Sequence, residues 1–300
     1  MTSARTFDAN ASSKGALKHL GSIGSYPSLI WRNRYMVQNF FRRDLMSRFH
    51  GSFLGAWWML AQPLFMFLVY FAIFGVLYSR NDSGPSLGFA LYLFSGVVCF
   101  HAMVEATTTC CNIIIANNNL VKKVAFPSEA LPIHVTLVAI VIYLVGVALT
   151  LAVGLISGAR MPGIELLYLP LVLIVMFMLI LGIGLLLANI NVFVRDVQQL
   201  WRIFTMAWFF LSPVFWYPSD MSAMVLAKTD SPMLVSALFN GNPAFSLMTA
   251  QRISLGGEIP EWGVVDFWGS LGVASLWAVG FLLVGYCTFM ANKHKYADIV

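Results

Sequence analysis

Residues 166–189 read LLYLPLVLIVMFMLILGIGLLLAN, an unbroken run without one charged side chain. As a helix rising 1.5 Å per residue, 24 positions reach about 36 Å, and a bilayer's hydrocarbon core is about 30 Å thick. Five further apolar stretches lie around it, at Leu54–Tyr78, Leu87–Thr107, Ile133–Ile156, Leu200–Trp216 and Phe267–Met290. Leu200–Trp216 is the marginal one, short and interrupted near Pro213. The stretches predict an all-α integral membrane protein with six transmembrane helices.

Composition agrees. Of 300 residues, 59% are hydrophobic and 10% charged, with a mean hydropathy of +0.78. A soluble domain carries about 25% charged residues, so this chain has too little polar surface for a water-exposed globule. Residues 1–28 are polar and small, with no apolar run behind a charged start. They read as a flexible cytoplasmic tail without a cleavable signal, the first span serving as an uncleaved anchor. Residues 29–300 then form one membrane domain. Cys99, Cys110, Cys111 and Cys287 lie in or beside apolar stretches and form no CxxC pair. They read as packing residues, not as a disulfide framework or a zinc site.

Orientation follows from where Lys and Arg collect. Fourteen of the 18 fall before the first span, in the second-to-third and fourth-to-fifth connections with the adjoining start of the fifth span, or in the tail. Arg80, Arg160, Lys228 and Arg252 fall on the other side. Both termini are therefore expected in the cytoplasm.

Three segments do not fit a plain set of hairpins. Residues 29–50 carry Val37, Phe40, Phe41 and Leu45 on one helical face, with Arg32, Asn39 and Arg43 opposite, while Arg34 and Arg48 break the pattern. This predicts an interfacial helix on the cytoplasmic surface, where basic residues beside an apolar stripe suit anionic headgroups. A topogenic basic segment without fixed structure is the alternative. The second-to-third connection holds Asn117, Asn118 and Asn119, then Leu120, Val121, Lys122 and Lys123, with Pro127 and Pro132 behind. The Asn run offers caps for a short helix starting near Leu120, a possible docking surface. Residues 217–266 are longer than a turn; Asn242–Pro243 marks a helix start and Gly256–Gly257 its end. Ser219 or Asp220 could cap an earlier helix stopping before Pro232, giving two short helices that return toward the membrane on the outer side.

The missing chemistry constrains function. There is no GxxxxGK[ST] loop to cradle nucleotide phosphates, and no HExxH or GxSxG motif. The five histidines are scattered, which argues against a metal site, and no Asp or Glu lies at the centre of a span. Transport by this chain would have to be driven from outside it. Aromatic residues are the positive signal. Trp57, Trp58, Phe67, Tyr70, Phe74 and Tyr78 recur in or beside the first span, and Trp201, Phe204, Trp208 and Phe215 in the fifth. They serve either as interfacial and lipid-facing residues or as channel-lining rings stacking on sugar faces.

The motifs carry a resemblance. Arg43-Asp44-Leu45, then residues 48–58 (RFHGSFLGAWW), Gln62-Pro63-Leu64, residues 119–127 (NLVKKVAFP), Leu131-Pro132, residues 191–197 (NVFVRDV), Ser212-Pro213-Val214-Phe215 and Asn242-Pro243 together resemble ABC-2 type permeases that export polysaccharides. O-antigen exporter permeases and their teichoic-acid and capsule relatives are the most similar, from about Ile30 onward. The resemblance implies a homodimer around a central channel in the bacterial inner membrane, with two separate ABC ATPase subunits beneath it. This chain would hold no cofactor; ATP and Mg would belong to the ATPase, and nucleic acid is not an expected partner. Asn117, Asn119, Leu120, Val121, Lys122 and Lys123 would form the ATPase-coupling segment. Arg32, Phe40, Arg43, Asp44 and Arg48 would belong to the interfacial or gate helix. The first and fifth spans would line the channel and the short outer helices would gate it. The substrate would be a lipid-linked polysaccharide. Arg195 and Asp196 would either pair within their loop or touch the partner, and Lys122 and Lys123 could equally be plain topogenic charges. An ABC-2 exporter of drugs or small lipids is the alternative, followed by a membrane enzyme using Glu105, Glu129 or Glu165, and by a passive channel.

Overall fold

The computed structural model describes Gly21 and residues 23–48, 51–75, 87–122, 126–158, 163–257 and 266–299. Every regular element among them is helical. In chain order the α-helices are α1 (Tyr26–Arg32), α2 (Arg34–Ser47), α3 (Trp58–Tyr70), α4 (Leu87–Ala116), α5 (Asn118–Val121), α6 (Leu131–Ile156), α7 (Leu169–Phe193), α8 (Val197–Leu211), α9 (Pro218–Thr229), α10 (Pro232–Asn240), α11 (Pro243–Ser254) and α12 (Phe267–Ile299).

Four of these, α4, α6, α7 and α12, are long and apolar enough to cross a membrane. Pro132 and Pro170 each stand in the first turn of their helix, where the missing N–H costs nothing and the fixed φ suits the helix. The two other expected crossings form shorter helices. Residues 58–70 make α3, which runs on as a π-helical turn at Phe71–Gly75; residues 76–78 of that stretch lie outside the described residues. Helix α8 has 15 residues, about 22 Å of rise. It stops where Ser212 turns extended ahead of Pro213, a residue that cannot continue the hydrogen-bonding ladder.

The core lies among α4, α6, α7 and α12, with Leu93, Met103, Tyr143, Met176, Leu179, Ala278 and Phe289 among its buried residues. Helices α7 and α12 form the most extensive pair. A Cβ at Gly182 would collide with the backbone of Phe281 and Leu282, and one at Gly285 with the Gly182 carbonyl. Small residues at the seam let two backbones touch, which is how helices gain packing energy where lipid offers no hydrophobic drive between them.

Three local readings change. The interfacial segment is two helices, because Asn33 leaves the α region at φ −100°, ψ 16° and its Nδ2 donates back to the Leu29 carbonyl at 2.9 Å. The short helix begins at Asn118, not near Leu120, and Asn117 serves the preceding helix: its Nδ2 donates to the Ile113 carbonyl at 2.9 Å. The outer segment holds three helices where two were expected. Asp230, in the left-handed conformation at φ 48°, stops α9, and Pro232 starts α10 before the expected α11. The start at Asn242–Pro243 and the turn at Gly256, with φ 69°, fall where the sequence placed them.

Candidate functional site

Helices α1, α2 and α5 gather at one end of the bundle with the 194–196 loop and the C-terminal part of α12. This basic end is fastened by a few polar contacts. Lys293 Nζ meets Glu129 Oε1 at 3.2 Å, and Tyr26 donates to the Glu129 carbonyl at 2.9 Å. Tyr296 donates to Asn189 Oδ1 at 2.9 Å, linking α12 to α7. Glu129, just after Phe126-Pro127, thus joins the N-terminal helix to α12 directly behind the short helix. The sequence offered Glu129 only as a candidate carboxylate of the enzyme alternative; its role as a clasp was illegible because its partners are 103 and 164 residues away.

Helix α2 lies against α6. Val37 is buried, the Phe40 ring is 5.3 Å from that of His134, and the Arg43 guanidinium sits over Phe40 at 4.7 Å. Asp44 Oδ2 is 3.0 Å from His134 Nε2. The imidazole, helped by Arg43, holds the Asp44 carboxyl below its usual value. Arg32 is exposed. Arg48 donates to Glu105 on α4, and His101 Nδ1 faces the same carboxylate at 3.7 Å. Behind that triad a cavity of about 530 Å³ opens between α3, α4 and α6, with Trp58, Gln62, Phe94 and Tyr143 in its lining.

In the coupling segment Asn119 and Lys122 are exposed, while Asn117, Leu120 and Val121 are half-buried; Lys123 lies outside the described residues. Arg195 and Asp196 are both exposed and form no salt bridge among the described residues.

The aromatic residues divide. Trp57, Trp58 and Phe204 are exposed; Tyr70, Trp201 and Phe215 are half-buried; Phe67 and Trp208 are buried inside the protomer. Tyr78 and the side chain of Phe74 lie outside the described residues. Phe67 packs edge-on against Phe94 at 5.3 Å. Trp201 donates to Thr107 Oγ1 at 3.1 Å, so α8 leans on α4. The opposite face of α8 exposes Leu200, Ile203, Phe204, Met206, Phe210 and Leu211, and α3 exposes Leu64, Phe65 and Leu68.

At the far end two polar joints hold the outer helices. Asn242 Oδ1 accepts from Trp208 Nε1 at 2.8 Å and from the Ala244 N–H at 3.0 Å, while its Nδ2 reaches Ser212 Oγ at 3.1 Å. Arg252 is 2% exposed; its guanidinium lies 3.5 Å from the Tyr92 ring centroid and donates to the Tyr92 carbonyl at 3.2 Å. Gln251 donates to the Ser95 carbonyl at 3.2 Å. The three carboxylates of the enzyme alternative are dispersed: Glu105 and Glu129 have separate basic partners, and Glu165 stands at the opposite end of α7.

The four helices long and apolar enough to cross a membrane, with one basic end, define a membrane-embedded helical domain. The chain belongs to the ABC-2 type transporter family, whose pattern it matches over residues 35–233. It is a multi-pass membrane protein and a transport permease. It is similar to the O-antigen export system permease protein RfbA of Myxococcus xanthus, 26% identical over 272 residues that cover 90% of this chain and 97% of that protein. Two proteins of that name from Klebsiella pneumoniae are 25% and 23% identical, each covering 86% of this chain and 92% of the relative.

Proposed function

We propose that the chain is the permease subunit of an ATP-driven exporter that moves a lipid-linked polysaccharide of O-antigen or capsular type across the bacterial inner membrane. Two copies form the channel and two ABC ATPase subunits dock at the basic end, which faces the cytoplasm with both termini. The observation that carries this reading is the pair of exposed apolar faces on α3 and α8. They are the two expected crossings that form short helices. A second copy packed against these faces would enclose a shared path.

The family and the relatives' names support a polysaccharide exporter permease. In the proposed arrangement Asn119, Leu120 and Lys122 contact the ATPase, with Lys123 beside them. The α1–α2 pair lies along the interface as the gate element, and α9–α11 close the outer end. Trp57, Trp58 and Phe204, exposed on the protomer, would meet the sugar chain. ATP and Mg are bound by the ATPase. Such a division of labour needs no ionisable group in the spans, because the motor is elsewhere.

Co-purification tests it. The chain alone should cleave no ATP, and co-expression with its cognate ATPase should give a stable ATP-cleaving complex containing two copies of each. Deleting the gene should abolish a surface glycan. A permease that stays monomeric and binds no ATPase overturns the assembly. Intact glycan with altered drug resistance would favour export of drugs or small lipids instead.

A further inference from the structure

The cavity between α3, α4 and α6 is lined by one protomer's own residues. Its polarity is graded along the helix axes. Arg48, Glu105 and His101 line it toward the basic end. Phe94 lies 11 residues along α4 from Glu105, about 16 Å deeper, and the walls at that depth are mainly apolar. Tyr143 also lines the cavity, and its hydroxyl is buried without a hydrogen-bond partner among the described residues. Buried hydroxyls are normally paired, so the Tyr143 hydroxyl is a donor available within the cavity wall. The volume of about 530 Å³ falls within the range of small-molecule sites.

A polar mouth over an apolar interior matches the two ends of an amphiphile. The charges at the mouth select among amphiphiles. Arg48 and Glu105 are paired and only partly covered, with side-chain exposures of 34% and 27%. An anionic head would bring like charge onto Glu105, and a cationic one onto Arg48; like charges at close range are disfavoured. A zwitterion can satisfy both.

We propose that this cavity binds one zwitterionic aminophospholipid, with its phosphate on Arg48, its ammonium on Glu105 and an acyl chain along the apolar wall toward Phe94. A primary ammonium donates hydrogen bonds to the carboxylate, whereas a quaternary choline has none to give. The lipid would hold α3 against α4 and α6.

The test uses the full chain in nanodiscs holding equal parts phosphatidylethanolamine, phosphatidylglycerol and phosphatidylcholine, followed by native mass spectrometry of the lipid retained per chain. Phosphatidylethanolamine should be retained at least fivefold over each of the others. Glu105→Gln should move the preference toward phosphatidylglycerol by leaving Arg48 unopposed, and Ala102→Phe, which fills the cavity, should abolish retention. Should the filled variant not fold, the Arg48→Gln/Glu105→Gln pair serves, because it removes the charges and keeps the volume. Retention at bulk proportions, or a preference that survives in the pair variant, overturns the proposal. The readout involves neither nucleotide nor glycan, so it is independent of the export reading.

Discussion

Trp208 Nε1 donates to Asn242 Oδ1 at 2.8 Å across 34 residues of sequence. The bond ties the last turns of α8 to the first turn of α11. The same amide also binds the Ala244 N–H and Ser212 Oγ, so one side chain fixes the break after α8, the start of α11 and the indole between them.

Replacing Asn242 should therefore cost more than a lost helix cap. Asn242→Ala removes the acceptor from a buried indole N–H and from the Ala244 N–H; leaving such donors unpaired costs about 1–3 kcal/mol. Asn242→Asp keeps the acceptor but loses the amide donors and should fall between. Thermal unfolding of the purified protein gives the order, with Tm expected to run native, Asp, Ala.

Gly96 makes room for a cation. A Cβ there would collide with the Arg252 guanidinium, so Gly96→Ala should destabilise by about 1–3 kcal/mol through overpacking. Arg252→Met shortens the obstacle and removes a buried charge that has no carboxylate among its described salt-bridge partners. Combined with Arg252→Met, Gly96→Ala should cost less than it does alone. A double-mutant cycle on denaturation midpoints measures the coupling; strictly additive effects would contradict the contact.

The Asp44–His134 contact makes a defined contribution to acid sensitivity. Because the folded Asp44 carboxyl titrates below its ordinary value, its stabilisation is fully present above the unfolded value, near 3.9. It disappears as pH falls through the lower, folded one. The native protein should lose Tm on acidification through this window more steeply than Asp44→Asn, and the two curves should converge at the acid end. Parallel curves would rule the contribution out.

Docking at the basic end predicts a charge-specific loss. Lys122→Glu combined with Lys123→Glu should reduce recovery of the ATPase in pull-downs at least tenfold while leaving helicity by circular dichroism unchanged. Raising salt should weaken the native complex in the same direction, since exposed charges are screened. Unchanged assembly would return both lysines to a topogenic role.

Much of the fold is legible in the chain itself. The apolar run at 166–189 requires α7 by length alone, because a backbone crossing lipid must satisfy its own hydrogen bonds. Pro132, Pro170 and Asn242–Pro243 announce helix starts through local dihedral preference, and the left-handed Gly256 follows the end of α11. The break at Asn33 and the third outer helix were harder to read, since each turns on a single side chain or one left-handed residue.

The sequence by itself determined the class, the long helices and the motif set that places the chain in its family. Length, hydropathy and local capping are properties of neighbouring residues, so they survive without a folded partner. Only the tertiary structure decided which aromatic residues face inward, that Glu129 clasps Lys293 behind the short helix, and that Arg48 meets Glu105 over a cavity. Trp201 and Trp208 read alike in a helical pattern with Phe204, yet two are hydrogen-bonded inward and one is exposed. The difference arises from helix rotation against α4 and α11, which depends on contacts distant in sequence.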